Sequence, residues 1–187
     1  MKWFVVAIIV AAALYVVTTY NRLVRERNFV REGWSGIDVQ LRRRTDLVPN
    51  LVETVKGYAA HEGGLFEAVA SSRALSIAAD SVEQQAAAER TLHGALGRWF
   101  AVVEAYPELK ADKNFLDLQH QLTEVEDQLQ FARRYYNGTV RNLNISIQSF
   151  PNNLVATVLG FKPEPFFELD NRSDATAPTV VIAGAAP

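Results

Sequence analysis

The sequence predicts an all-α protein whose N-terminal transmembrane helix is continuous with an antiparallel four-helix bundle of long helices. Three observations carry that prediction. Residues Trp3 to Tyr20 contain no charge, no Gly and no Pro, and neither Gly nor Pro interrupts residues 2 to 32. Farther along, two long stretches repeat apolar residues at alternating three- and four-residue steps, the signature of a helix face turned toward a bundle.

The first element is the anchor, residues 1–20. About 20 apolar residues cross the hydrocarbon core of a bilayer, and roughly 17 is the lower limit. Trp3 and Tyr20 stand at the two ends of the run, where amphipathic rings favour the headgroup level. A cleaved signal peptide is the competing reading, with Lys2 as the charged flank and Ala11-Ala12-Ala13 as the cleavage site. Cutting there leaves an apolar region of only eight residues, Trp3 to Val10, so a retained anchor is expected. One Lys precedes the span, whereas Arg22, Arg25, Arg27 and Arg31 follow it. The positive-inside bias then predicts a cytoplasmic C-terminal domain behind a two-residue outer tail, with a periplasmic domain as the alternative.

Leu23, Val30, Ile37, Arg44, Leu51 and Tyr58 form a row spaced by seven, and Trp34, Leu41, Val48 and Val55 form a second. Both rows pass Pro49 without losing phase, which a loop there would usually reset. One helix is therefore expected from about residue 3 to 61, kinked at Pro49, where the backbone bond to residue 45 is lost. A break with Thr45 as N-cap is the alternative. Gly63-Gly64 ends the run, and a short helix over about 65–78 follows. Asp80 or Ser81 caps a third helix, about 82–106, with Leu92, Leu96, Trp99, Val103 and Tyr106 on one face and Pro107 closing it. Asp112 caps the fourth, in which Phe115, Leu122, Leu129, Tyr136, Leu143 and Phe150 recur every seven residues until Pro151. At about 1.5 Å per residue, residues 21–61 and 112–150 each reach roughly 60 Å. Matched lengths suit an antiparallel pair with the two shorter helices alongside, which returns the fourth helix to the membrane. That would bring Leu154, Val155, Val158, Leu159, Phe161, Phe166 and Phe167 to the bilayer surface as a short interfacial anchor, unless they fold back onto the bundle base. The domain spans 21–168, and the tail 169–187, poor in core formers, reads as disordered.

The stretch YNRLVRERNFVREGWSGIDVQLRRRTDLVPNLVETVKGYAAHE, residues 20–62, closely resembles the signature region of the LemA family. AYPELKADKNFLDLQHQLTEVEDQLQFARRYYN and SFPNNLVATVLGF extend the resemblance over about residues 15–168. Gly33 stands where many members carry Ala before Trp-Ser. The resemblance implies a bacterial single-pass membrane protein with an antiparallel helical bundle, in a family with no established reaction. It also implies that one member class shapes magnetosome membranes, and that membrane proteases or envelope proteins are frequent genetic neighbours.

Composition narrows the function classes. A formal net charge of -2 supplies no basic field for nucleic acid, and the absence of cysteine excludes disulfides, thiolate metal sites and a thiol nucleophile. Asp117-x-x-His120 is the one carboxylate–His pair that resembles a di-metal bundle site, but such sites need a second pair and two further glutamates. Gly33-Trp34-Ser35-Gly36 has the wrong spacing for a nucleophile elbow, and its glycines are expected to admit a neighbouring helix. Asn137-Gly-Thr, Asn144-Ile-Ser and Asn171-Arg-Ser match a glycosylation pattern that carries no weight in a bacterial protein. No catalytic, cofactor or metal residue is expected.

Arg42 and Arg43 read as a solvated face paired with Asp38 and Asp46, since residue 43 lies about 35 Å from Tyr20 along the helix, beyond a Debye length near 8 Å. Arg44 instead occupies a seam position, where a guanidinium needs the Thr45 carbonyl freed by Pro49, or Glu124, Glu126 or Asp127, to form a polar layer that fixes register. Around it, Asp38, Gln40, Arg43, Arg44, Asp46, Asn50, Lys56, His61 and Glu62 form the candidate interaction surface. Trp3, Tyr20, Arg22, Arg25, Phe161, Phe166 and Phe167 are the candidate membrane interface. The expected function is a non-enzymatic membrane scaffold in the bacterial cytoplasmic (inner) membrane. Its expected partners are the lipid bilayer, further copies of itself, and a membrane protease or envelope protein. An adaptor role in a protease or envelope stress pathway is the alternative.

Overall fold

The computed structural model describes residues 1–58 and 63–168. Among the described residues six helices follow one another: α1 (Lys2–Lys56), α2 (Gly63–Ala78), α3 (Val82–Val103), α4 (Pro107–Lys110), α5 (Lys113–Gln148) and α6 (Asn152–Val158). The expected disordered tail and the stretch 59–62 lie outside the described residues.

Helix α1 runs for 55 residues with Pro49 inside it, so the apolar span and the first strut of the bundle are one helix. It stops at Lys56, short of the expected 61. Gly57 follows, and the Tyr58 amide tightens the end by donating to the Val55 carbonyl at 2.9 Å. The first eighteen residues are exposed, and the helix is long and apolar enough there to cross a membrane.

Helix α5 packs antiparallel along the rest of α1. Arg22 donates to the Ser146 hydroxyl at 3.2 Å, Gly33 faces Tyr136, Arg44 pairs with Glu126 at 3.2 Å, and the Tyr58 hydroxyl meets Asp112 at 3.3 Å. The partner number falls as the α1 number climbs, so α5 ends at the membrane side. Asp112 caps α5 by accepting from the Asn114 and Phe115 amides at 2.8 and 3.0 Å, and Ser81 caps α3 through the Gln84 amide at 3.2 Å. The heptad residues Phe115, Leu122, Leu129, Tyr136 and Leu143 are buried. Phe150 is 80% exposed, because the helix has already ended at Gln148. Two smaller details differ from expectation: α3 closes at Val103, not 106, and Pro107 starts the single turn α4.

The core divides in two. Leu23, Val30, Ile37 and Leu41 of α1 pack with Leu129, Tyr136, Val140, Leu143 and Ile147 of α5 near the membrane end. Val48, Leu51 and Val55 pack with Val69, Leu92, Leu96, Trp99 and Phe115 at the far end. Helices α2 and α3, of 16 and 22 residues, are shorter than the 36 residues of α5; α2 contributes Val69 to the far cluster, while α3 also reaches the near one through Ala86.

In the near half, α6 and the extended residues 161–168 close the α1–α5 groove. The Asn144 side chain donates to the Glu164 carbonyl and accepts from its amide, both at 2.9 Å. Asn137 does the same for Phe167, at 3.1 and 2.9 Å, and the Tyr136 hydroxyl donates to the Pro165 carbonyl at 2.9 Å. Phe161 and Phe167, expected at the bilayer interface, are thereby core residues. Phe167 is fully buried with its ring 5.8 Å from Trp34, and Phe161 lies edge-on to Tyr20 at 6.1 Å beneath the Arg27 guanidinium. Phe166, the neighbour of Phe167 in the chain, stays exposed.

Candidate functional site

Arg44 stands at the level that separates the two apolar clusters, and nothing apolar there can meet a guanidinium. It is met by two carboxylates, Glu126 of α5 at 3.2 Å and Glu89 of α3 at 3.4 Å, and by the His93 ring at 3.5 Å. Glu89 is fully buried. Its second oxygen accepts from the Ser76 hydroxyl at 2.5 Å and from the Gln85 amide at 3.3 Å, while Gln85 also donates to Ser76 at 3.1 Å. Side chains from α1, α2, α3 and α5 thus meet in one polar layer, with both Glu89 oxygens satisfied. Burial pushes the Glu89 carboxyl above its ordinary range and the Glu126 charge adds to the rise, while Ser76, Arg44 and Gln85 pull it back.

Glu126 was among the partners expected for Arg44. The Thr45 carbonyl was another, but it accepts from Arg73 of α2 at 2.7 Å, because α2 crosses α1 where Pro49 leaves that oxygen without an amide. Ser76, Gln85 and Glu89 escaped the sequence reading. Glu89 had a usable signal: it lies three residues before Leu92 and seven before Leu96, in phase with the buried face of α3.

A cleft of about 470 Å³ opens beside the layer between α3 and α5, lined by Arg90, His93, Glu126, Arg133, Arg134 and Asn137. Arg90 donates to the Glu168 carbonyl at 3.1 Å, Arg133 lies 5.8 Å from the Phe167 ring and Arg134 4.6 Å from the Phe131 ring. Among the described residues none of these three guanidiniums has a carboxylate within 4.0 Å. The cleft is therefore cationic at its rim, and its one acid already serves Arg44.

The predicted interaction residues do not converge. Arg44 is interior. Arg43, Asp46 and Asn50 share the exposed outer face of α1, while Asp38 is half-buried and pairs with Arg42 at 3.0 Å. Gln40 is half-buried, Lys56 pairs with Glu53 at 2.7 Å, and His61 and Glu62 lie outside the described residues. At the membrane end Trp3, Tyr20, Arg22 and Arg25 are exposed, with Arg22 bonded to Glu26 at 2.9 Å. Asp117 and His120 are exposed on α5, away from the bundle interior that a di-metal site would occupy. Gly33 does admit the neighbouring helix, since a methyl group there would stand 3.0 Å from the Tyr136 Cα.

Comparison with known proteins places this geometry. A sequence profile described as the LemA family matches residues 33–181, which takes in the entire polar layer. "Magnetosome protein MamQ 2" of Paramagnetospirillum magneticum (strain AMB-1) is 26% identical over 186 residues, covering 86% of this chain and 68% of that protein. "Magnetosome protein MamQ" of Magnetospirillum gryphiswaldense is 26% identical over 174 residues, 79% of this chain and 64% of its own. "Protein LemA" of Metamycoplasma hominis is 26% identical over 143 residues, 74% and 64% respectively. The chain spans about two thirds of the length of these relatives.

Proposed function

The chain belongs to the LemA family, and from that premise we propose that it is a non-enzymatic, membrane-anchored scaffold that self-associates and organises or remodels a bacterial membrane. The observation that carries the reading is the single helix Lys2–Lys56. A span and a strut that share one unbroken backbone cannot pivot freely, so a tilt of the span moves the whole bundle. A tethered enzyme or a diffusing binding module gains nothing from that coupling; a lever on the bilayer does. The similarity to proteins named as magnetosome proteins supports the same direction. Phe131 and Tyr135, one turn apart on α5 and exposed, supply apolar surface for contact between copies. By the positive-inside bias the bundle faces the cytoplasm from the inner membrane, and a reporter fused to the C-terminus tests that side.

Electron microscopy of the detergent-purified and liposome-reconstituted chain tests the scaffold. Ordered homo-oligomers and altered vesicle shape are the expected result. Smooth vesicles carrying dispersed monomers would remove the reading.

The arginine-rimmed cleft favours a second reading, an adaptor that receives an acidic segment of a membrane protease or envelope protein. It predicts a monomer or small oligomer that co-purifies with a different membrane protein, and loss of that partner in Arg133→Glu/Arg134→Glu.

A further inference from the structure

Helix α6 has two unlike faces. Val155 and Ala156 are buried, whereas Leu154 and Val158, with Phe150 just before the helix, are 60%, 83% and 80% exposed. No charged residue occurs from Phe150 to Phe161. One contact marks the depth of this element: the Tyr15 hydroxyl donates to the Asn152 side-chain oxygen at 2.5 Å. Tyr15 lies inside the uncharged run that ends at Tyr20, about 7.5 Å deeper along the helix axis. A bilayer that accepts Trp3–Tyr20 as its spanning segment therefore also reaches the start of α6.

We propose that α6 is a second lipid contact, with Phe150, Leu154 and Val158 embedded among the acyl chains of the leaflet from which α1 emerges. The inference rests on the reading of α1 as a membrane span. Its physical content is a collar on one side of α1: a span with apolar side chains inserted on a single flank is held in one rotation and one tilt. Leu154 and Val158 carry no side-chain hydrogen-bonding group, and the neighbouring Thr157 spends its hydroxyl on the Asn153 carbonyl at 2.8 Å, so embedding this face strands no donor there.

The chain has no cysteine, which permits its single-site labelling. Leu154→Cys and Val158→Cys would carry an environment-sensitive fluorophore in phosphatidylcholine–phosphatidylglycerol vesicles containing lipids spin-labelled on the upper acyl chain. Val10→Cys, mid-span, and Phe131→Cys, exposed on the distant α5 surface, are the references. The expected result is quenching at 154 and 158 at least twofold above that at 131 and close to that at 10. Quenching at 10 with none above the 131 level at 154 and 158 would overturn the collar and leave the anchor standing. Loss of quenching at 10 as well would remove the anchor and the collar together. Protein-concentration-dependent contact between labels at 154, without lipid quenching, would assign the face to a second copy and overturn the proposal.

Discussion

A methyl group built on Gly33 would stand 3.0 Å from the Cα of Tyr136, so α1 and α5 meet at that level backbone to backbone. A flexible side chain could yield at that distance; a helical backbone yields only by moving the helix. Gly33→Leu is expected to destabilise by about 1–3 kcal/mol through overpacking. Gly33→Ala should fall near wild type, because replacing a mid-helix glycine contributes about 1 kcal/mol against the crowding. The resemblance to family members with Ala at this place agrees. Gly36→Ala, whose methyl would meet the Ala132 Cβ at 3.9 Å, is expected to raise stability. Thermal melting in detergent, followed by circular dichroism, orders the three variants.

The Arg44–Glu89 pair is buried on both sides, at 3.4 Å. Arg44→Met leaves Glu89 interior with no cation and should cost about 3–5 kcal/mol. Arg44→Met/Glu89→Leu joins the two apolar clusters and should recover most of that loss. A double-mutant cycle in which the two losses simply add would show that the pair is not coupled. The raised Glu89 pKa sets a sign as well. Its contribution to stability is fully present below the ordinary carboxyl value of 4.5 and is lost as pH rises through the higher folded value. Glu89→Gln should therefore be at least as stable as wild type at neutral pH, with a flatter pH profile above 4.5.

Periodicity made the long elements legible, because a buried face must recur with the helix. Leu23, Val30, Ile37 and Leu51 were readable for that reason, and the phase held across Pro49 because the helix does. Arg44 was readable as the one charge in its row. Glu89 obeyed the same logic on α3 but went unread, since the face was counted only from Leu92 onward. The strap over 161–168 left no periodic trace at all. It is held by Asn137 and Asn144, whose amides bond backbone in both directions, and a backbone partner has no signature in the strap's own sequence. The two residues drew notice only as a glycosylation pattern, although their spacing of seven places both on one face of α5.

That strap carries a prediction. Asn137→Ala and Asn144→Ala each remove two side-chain bonds to it, at about 0.5–1.5 kcal/mol per bond. The double variant should free residues 161–168 from the α1–α5 groove while α5 stays folded. Hydrogen exchange should rise at the Glu164 and Phe167 amides and not at Leu129 or Val125. Exchange that rises equally along α5 would mean the strap is part of the global fold and has no local opening.

Tyr136 predicts an alkaline limit. Burial, followed by the charges of Glu164 and Glu83, pushes its phenol up to about 12 from the ordinary 10.0. The hydroxyl donates to the Pro165 carbonyl, a bond the phenolate cannot make. The stability tied to this group is fully present below pH 10 and is lost as pH rises through about 12. Tyr136→Phe should be less stable at pH 8 by the lost hydrogen bond, and should show a smaller fall between pH 10 and 12. An unchanged alkaline slope in that variant would place the effect elsewhere.

Pro49 and Arg73 should prove coupled. Proline in a helix interior costs about 3 kcal/mol, part of it from the orphaned carbonyl four residues back. Here that carbonyl belongs to Thr45 and accepts from the Arg73 Nε at 2.7 Å, so α2 supplies the donor that α1 lacks. In the wild-type background Arg73→Met should cost about 1.5–3 kcal/mol, the range for a charged hydrogen bond. In Pro49→Ala the restored amide of residue 49 takes the Thr45 carbonyl, and the same Arg73→Met change should cost less than about 1 kcal/mol. The difference, read from melting of the four proteins, is the coupling. Equal losses in the two backgrounds would show that Arg73 does not stand in for the missing amide. A positive coupling would mean that the weakest point of the 55-residue helix is braced from outside, as a strut that transmits tilt from the membrane must be.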